Sequence, residues 1–526
     1  MATESAHSPT WWDESFEITP TDIEYLSNIL LEREVPLSTD ELAFLLVRYR
    51  LSMASGDLDQ PDATPAKRYQ PGSGYELGDR VTFTFMGNRV GQVVDSRAGD
   101  NDDYGSYQVV VVEFDNGDHQ EFAAELEIDH ALNVPEAAEQ PSASPALSPE
   151  EIFIDHGGRI GELLESFLAG RDDLVQLGVR WFPKALMLDI NERHLNLAEA
   201  ILDISGGGPM STAEIMEQVG ILGDAQTELA EFSLNYGLKS DQRFDEVGPA
   251  GQVMWHLVRM QPADVKEPPG PLRYTALEFD HDVLTVELQR IESEIEDELT
   301  THLLPRREDS IRVTLIYPHW RSGTLPLTPP LQLLFPTAEQ SPRIHFTLVD
   351  AESEEEMEAW VVRHEGYIYG LRDWYAANEI PVGGYVTVQR GEDPGRVVID
   401  FGRRGRSYRE WLLTAKVSKD RIRFENEQHA VGSDYDDLMA IHVEEPDTLD
   451  SLAERLVQNR VALPQIVRDV VGELARLNPQ GQVHAKTLYS AVNLVRRAPP
   501  GPIMAMLVED PAFESVGGAY WRPTQN

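Results

Sequence analysis

The segment DQRFDEVGPA at residues 241–250 recurs near the other end of the chain as DPAFESVGGA at residues 510–519. Both copies fit the pattern D-x-x-F-[DE]-x-V-G-x-A. Upstream of each copy, GPMSTAEI at residues 208–215 aligns with GQVHAKTL at residues 481–488, at a similar distance from the Phe. Self-similarity of this kind indicates that one supersecondary unit occurs twice.

Each unit has the pattern of a helix, a Gly-led second helix, a third helix and two short strands. The first strand carries the F-x-x-V-G motif, and we expect Trp255 and Trp521 on the second strand. This order is typical of a winged helix. It resembles the HARE-type helix-turn-helix domains, whose relatives include the delta subunit of bacterial RNA polymerase and modules attached to restriction enzymes and chromatin factors.

The motif residues are predicted to be structural, since any wing needs a core. We expect the four apolar motif residues to be buried and the two motif glycines to take positive φ; these residues are Phe244, Val247, Phe513, Val516, Gly248 and Gly517. We therefore expect any function of the repeat to belong to the module as a whole and not to these motif residues.

The two copies differ in charge. The helix predicted over residues 211–219 contains Glu214 and Glu217 and no Lys or Arg, which argues against DNA reading by the first copy. In the second copy, Lys486, Arg496 and Arg497 flank the second helix and the turn after it. These three residues are predicted nucleic-acid contacts.

The whole chain is strongly acidic. Its 90 acidic and 44 basic residues give a net charge of −46, and only seven of the bases are Lys. Such a field opposes approach to a phosphate backbone unless a local basic face overrides it. Two interpretations stay open: the charge serves solubility, or it engages a basic partner or mimics nucleic acid.

The absence of Cys from the sequence excludes disulfides, thiolate metal sites and Cys nucleophiles. The sequence has neither a signal peptide at its start nor an apolar run long enough to span a membrane. We therefore expect a cytoplasmic protein without membrane contact.

Length and composition predict several domains, because one core rarely serves so long a chain. The expected fold class is multidomain α+β, with an SH3-like small β-barrel, two winged-helix modules and a central β-barrel-like domain. The predicted boundaries are a helical segment at 1–53, linkers at 54–74 and 133–149, the small barrel at 75–132, a helical plus winged-helix module at 150–262, a β-rich domain at 270–440 and the second winged-helix module at 445–526.

Two stretches carry the strand predictions. Residues 75–132 combine a Gly-Asp-x-Val strand start, a Gly-x-Val-Val strand and an Asn116-Gly117 hairpin turn, and they resemble the SH3-like barrels of the KOW and Tudor kind. Residues 366–386 contain a short helix followed by a Gly-Gly-Tyr-Val corner. That corner resembles pseudobarrel DNA-recognition domains of plant transcription factors and some restriction enzymes.

The charge reverses between Arg390 and Arg423, where ten bases face five acids. Interleaved aromatic residues are typical of nucleic-acid surfaces, so we predict contacts by Arg403, Arg404, Arg406, Tyr408, Arg409, Trp411, Lys416, Lys419 and Arg421. The alternative is that these bases pair with the acidic runs at 352–358 and 292–298 and tie domains together.

No catalytic or cofactor motif is present. The sequence lacks a phosphate-binding loop, a zinc-protease motif and a nucleophile elbow in a credible context, and its His residues have no second ligand at metal-binding spacing. We therefore expect no enzymatic activity, no cofactor and no metal site, although an unrecognised enzyme remains an alternative.

The leading hypothesis is a non-enzymatic DNA-binding or transcription-associated regulator or adaptor. In one version it contacts DNA; in the other its acidic surface binds basic faces of RNA polymerase or another protein. The alternative is a specificity or accessory subunit of a restriction or defence system whose partner supplies catalysis.

Overall fold

The computed structural model describes residues 11–55, 67–83, 86, 89–99, 101, 107–114, 119–126, 132, 148–220, 227–338, 341–393 and 395–524, and within these only the backbone of 14, 55, 68 and 404–408. The chain forms two compact units, Met1–Met187 and Leu188–Asn526. Both units contain helices and sheets, so the predicted multidomain α+β class is confirmed.

The first unit contains three α-helices and eight strands among its described residues. In chain order they are α1 (Pro20–Arg33), β1 (Leu37–Ser38), α2 (Thr39–Ser55), β2 (Lys67–Arg68), β3 (Arg80–Phe83), β4 (Arg89–Ala98), β5 (Gln108–Phe114), β6 (His119–Ala124), α3 (Pro149–Leu168), β7 (Leu174–Leu177) and β8 (Arg180–Pro183).

The helical core of this unit joins segments from both sides of the small sheet. Leu42 and Leu46 of α2 are buried with Ile160 and Leu164 of α3 in one cluster, and β1 pairs with β8. The prediction that residues 150–187 belong with the module ending at 262 is therefore wrong. The apolar face of α3 finds its partner more than 100 positions earlier, which periodicity cannot show.

The five-stranded sheet has the order β2-β3-β4-β5-β6 around a core that includes Phe83, Val93 and Phe114. It begins earlier than expected: Lys67 pairs in parallel with Val81, and Tyr69 is buried in the same core. The predicted linker at 54–74 thus contains part of the sheet. The predicted turn at 116–117 lies outside the described residues.

The second unit begins with the first repeat copy and a single-turn helix. Its elements are α4 (Glu192–Ile204), β9 (Met210–Ser211), α5 (Thr212–Val219), α6 (Thr227–Lys239), β10 (Phe244–Glu246), β11 (Met254–Leu257) and α7 (Ala263–Lys266).

A β-rich middle part follows. It comprises α8 (Val286–Ile295), β12 (Ser310–Thr314), α9 (Tyr317–Ser322), β13 (Thr324–Pro326), β14 (Arg343–Asp350), β15 (Glu356–Val362), β16 (Tyr367–Tyr369), α10 (Arg372–Ala377), β17 (Tyr385–Arg390), β18 (Arg396–Phe401), β19 (Arg403–Ser418), β20 (Arg421–Ser433) and β21 (Ile441–Val443).

The unit ends with the second repeat copy. This copy follows α11 (Pro446–Gln458), and its elements are α12 (Leu463–Ala475), β22 (Val483–His484), α13 (Ala485–Val492), α14 (Pro500–Glu509), β23 (Phe513–Gly517) and β24 (Tyr520–Pro523).

The two copies share one order of elements: helix, short strand, helix, helix, strand, strand. In both three-stranded sheets the last strand lies in the middle, because β11 pairs with β9 and β10, and β24 pairs with β22 and β23. Trp255 lies on β11 and Trp521 on β24, and both are buried. The repeat in the sequence therefore corresponds to a repeat in topology.

The motif residues behave differently in the two copies. Phe244, Phe513 and Val247 are buried, whereas Val516 is 36% exposed, so the expectation for Val516 is wrong. Val247 is covered because it packs with Trp360 of the neighbouring sheet; the corresponding end of β23 is exposed.

The motif glycines also differ. Gly517 has a φ of 87°, as expected for a turn glycine. Gly248 is not among the residues with positive φ, and that prediction is wrong. Gly is required at 248 for another reason, since a Cβ there would lie 1.9 Å from the carbonyl oxygen of Gln252.

The central sheet has seven strands in the order β12-β17-β18-β14-β15-β16-β13. Its pairs are antiparallel except for β14 with β18. The order is linear with β12 and β13 at the edges, so among the described strands the expected barrel is not closed by hydrogen bonds. Residues 343–350 alternate between the core and a partly exposed face, as expected for a strand with one buried face.

A separate hairpin pairs β19 with β20 around a turn at Lys419 and Asp420, both of positive φ. Ala415 and Phe424 of this hairpin share one core with α8, α12, α13 and α14. The predicted boundary between 270–440 and 445–526 therefore runs through a continuous core.

The described helices are all too short or too polar to span a lipid bilayer.

Candidate functional site

The basic segment at 390–423 runs from the end of β17 through β18 and β19 into β20, and part of its charge is neutralised within the chain. Arg396 pairs with Glu356 at 2.5 Å, and Arg403 pairs with Glu352 at 2.7 Å. Both carboxylates belong to the acidic run at 352–358. These two arginines therefore follow the alternative in which the basic segment binds the acidic run.

Lys416 is the most fully neutralised base of the hairpin. Its Nζ lies 2.7 Å from Glu427, 3.2 Å from Glu425 and 3.4 Å from Glu444. The hydrogen bond to Glu427 and the neighbouring carboxylates raise the pKa of Lys416 well above its usual value. Farther along, Arg423 pairs with Glu473 of α12. Neither base is free for a phosphate.

Other predicted contacts in this segment are open to solvent. Arg409, Lys419 and Arg421 are exposed and form no ion pair among the described residues. Trp411 is 68% exposed. The side chains of Arg404, Arg406 and Tyr408 lie outside the described part of the structure.

The three bases predicted in the second repeat copy are not surface contacts. Lys486 is 13% exposed and lies 3.0 Å from Glu294 and 3.5 Å from Asp436. Arg496 donates to the carbonyl oxygen of Val461 at 3.1 Å, and burial lowers its pKa. Arg497 is 1% exposed. Their assignment as nucleic-acid contacts is corrected, because intramolecular partners hold all three.

Arg497 lies at the centre of a buried polar network. Its guanidinium donates to Asp297 at 2.6 and 2.8 Å and to Glu298 at 2.7 Å, and the hydroxyl of Tyr489 donates to Asp297. Glu298 also faces Nε2 of His319 at 3.1 Å. The network joins the C-terminal core, through Arg497 and Tyr489, to α9 beside the central sheet.

The electrostatics of this network depend on pairing. Burial opposes the charge of Glu298, but the charges of Arg497 and His319 outweigh it and hold the pKa of that carboxyl well below its usual range. A buried carboxylate requires such compensation. Sequence reasoning missed the network, although the run ending in Asp297 and Glu298 and the Arg496-Arg497 pair were both visible.

The third helix of each repeat copy lacks an exposed basic face. In α14 the first six residues and Leu507 are buried, and the helix packs into the common core. In α6 most residues from Ala230 to Leu238 are buried or partly buried, and its charged residues are Glu228, Glu231 and Lys239. Neither helix offers the cationic surface that major-groove docking requires.

An open cleft of about 570 Å³ lies beside Trp411. One wall is formed by the hairpin, with Trp411 and Asn426, and the opposite wall by the second repeat copy, with Gln482, His484 and Tyr520. The sequence singled out Trp411 but not the cleft, because the opposite wall begins more than 60 positions later.

Two histidines near the central sheet differ in their surroundings. His345 lies on β14, with its ring 5.0 Å from that of Trp360, whereas His364 is exposed. Within the part of the chain that the structure describes, no group of His, Asp and Glu side chains is arranged to hold a metal ion.

Comparisons with known proteins add no assignment. No protein-family model, curated protein or solved structure matches the chain.

Proposed function

We propose that this protein is a non-enzymatic adaptor of the transcription machinery that binds a basic protein surface, with DNA contact as a minor component. The observation that carries the proposal is the internal pairing of its bases. Arg396, Arg403, Lys416 and Arg423 all pair with carboxylates of the same chain, and the chain as a whole has a net charge of −46. Such a surface attracts cationic partners and repels phosphates.

The repeated topology supports the module assignment. Two copies of the same helix and strand order, each with a three-stranded sheet, agree with winged-helix modules of the HARE type, and the five-stranded sheet agrees with an SH3-like module. Through the resemblance to the RNA polymerase delta subunit, RNA polymerase is the partner that we infer.

The third helices argue for protein binding over DNA reading. A winged helix that reads DNA places its third helix in the major groove. Here α14 packs in the core, and α6 has more acidic than basic residues. The modules therefore act as scaffolds that present other surfaces.

The proposal is tested with the full chain, RNA polymerase core enzyme from the same organism, and a labelled DNA duplex. We expect polymerase binding, and duplex binding that is weak and nearly lost between about 50 and about 200 mM salt. Anisotropy titrations over that range measure both. Tight duplex binding at the higher salt together with no polymerase binding would contradict the proposal.

A second candidate function is DNA recognition as the specificity subunit of a restriction or defence system. It is supported by the open seven-stranded sheet with two short helices, which agrees with a pseudobarrel, and by the exposed Arg409, Trp411, Lys419 and Arg421. In this case the wild type binds the duplex and not the polymerase in the same titrations, and alanine substitution of Arg409, Lys419 and Arg421 together removes duplex binding.

A further inference from the structure

We propose that the cleft beside Trp411 binds an arginine or lysine side chain presented by a segment of the partner protein. This inference rests on the proposed function and gives it a site. It requires three properties of the cleft: an aromatic platform, a negative charge without an internal partner, and polar groups for the backbone of the bound segment.

The platform is the indole of Trp411. Side chains alternate across a strand, so Trp411 shares its face of β19 with Leu413 and Ala415. Ala415 is buried beneath the C-terminal helices and Leu413 packs against the same core, but that cover ends before Trp411, which stays 68% exposed. A large indole held on a paired strand is well suited to cation–π binding.

The charge of the cleft favours a cation. Asp437 lines it, is exposed, and forms no ion pair within the described residues. Among the described residues that line the cleft, none is Lys or Arg. His484 also lines the cleft, but burial and nearby Lys486 lower its pKa, so it is neutral at pH 7 and does not offset the carboxylate.

The opposite wall supplies polar groups. Asn478, Gln482 and Thr487 line it, and their amides and hydroxyl can donate to and accept from a peptide backbone. A volume of about 570 Å³ is typical of a site for a small molecule or one long side chain with its flanking backbone. Both walls belong to one compact unit, so the site is preformed.

The competing occupant is single-stranded nucleic acid, with a base on Trp411 and a phosphate on Arg409. Arg409 shares the face of Trp411 but does not line the cleft, and a phosphate near Asp437 would meet a like charge. The lining therefore favours the cationic peptide.

The test uses the full chain and three labelled probes: a nonapeptide of alternating arginine and glycine, the same peptide with glutamate for arginine, and a nonamer of thymidylate. Trp411→Ala and Asp437→Asn each remove one property of the cleft. Leu304→Ala and Asp393→Asn are their matched controls, since Leu304 is 78% exposed, Asp393 is exposed, and neither lines the cleft.

We expect the arginine peptide to bind, each cleft variant to weaken it by about fivefold or more, the controls to stay within about twofold, and the glutamate peptide not to bind. Equal affinity of the wild type and both cleft variants would overturn the site. Preferential binding of the thymidylate probe, lost in Trp411→Ala and Arg409→Ala, would assign it to nucleic acid instead.

Failure of the site and failure of the proposed function give different results. If the wild type and the cleft variants bind RNA polymerase equally, the adaptor function stands and the site is wrong. If the arginine peptide binds in the cleft but the polymerase does not bind, the site stands and the proposed partner is wrong.

Discussion

At the scale of single residues, neighbouring positions with the same side chain have different roles. Arg496 makes one hydrogen bond to a backbone carbonyl, whereas Arg497 neutralises two buried carboxylates. Arg476 has a third kind of surroundings: its side chain is 67% exposed and pairs with Glu473 at the surface. The surroundings determine how much each arginine contributes to the free energy of unfolding, because desolvation makes an unpaired buried charge costly.

Removing Arg497 is expected to destabilise the second unit strongly. Arg497→Met leaves Asp297 buried without a counter-charge and Glu298 with His319 as its remaining partner, which costs about 3–5 kcal/mol. Urea unfolding followed by circular dichroism measures the change. The control Arg476→Met breaks an exposed pair and should lower the free energy of unfolding by at most about 1 kcal/mol. If both variants lower it equally, the buried network does not stabilise the unit as proposed.

At the scale of elements, the first repeat copy docks onto the central sheet through β10, β11 and the turn between them. The amide of His345 on β14 donates to Val247 at 2.8 Å, and Arg343 pairs with Asp245 at 3.1 Å. The indole of Trp360 lies against the rings of both His256 and His345. Burial lowers the pKa of both histidines.

This contact is expected to weaken in mild acid. A histidine whose pKa is lowered in the folded state binds fewer protons there than in the opened state. The free energy that holds the contact closed is therefore fully present above about pH 6.5 and is lost as the pH falls below that value. Hydrogen exchange of residues 244–247 and 343–347, corrected for intrinsic rates, should show more opening at acidic pH.

The histidines can be tested directly. In a His256→Gln and His345→Gln double variant the pH dependence of this exchange should be reduced, because neither replacement titrates. His364→Gln, at an exposed position, should leave it unchanged. A double variant with the full wild-type pH dependence would assign the effect to other groups.

At the scale of the whole molecule, sequence neighbours and structural neighbours differ. The first unit takes its helical core from residues before and after the five-stranded sheet, and the second unit joins α8 to helices about 200 positions later. Domain boundaries placed along the chain could not represent either arrangement.

The discontinuous first unit predicts the outcome of a cut. With a protease site inserted between Gln140 and Pro141, which lie outside the described residues, the two fragments should co-elute after cleavage, since Leu42 and Leu46 pack with Ile160 and Leu164 and β1 pairs with β8. Size-exclusion chromatography checks this. Adding Leu164→Asp should separate the fragments, and separation without that substitution would contradict the shared core.

The sequence by itself determined the local features of the fold. Ser38 and Glu41, three positions apart, form a capping box, with the Ser38 amide 2.7 Å from the Glu41 carboxylate, and Pro20 begins α1. The repeated motif marks two copies of one topology. These features depend on residues a few positions apart, whose propensities and hydrogen bonds act within one turn or strand.

Only the tertiary structure decided which charges face the solvent and which surface is open to a partner. The Arg497 guanidinium meets Asp297 at a sequence separation of 200 residues, and the cleft beside Trp411 brings the hairpin to the second repeat copy. Amino-acid composition gives the number of basic residues, but it does not show which carboxylate each of them pairs with. Burial and ion pairing are properties of three-dimensional neighbours, so part of the basic segment interpreted as a nucleic-acid surface is a set of internal ion pairs.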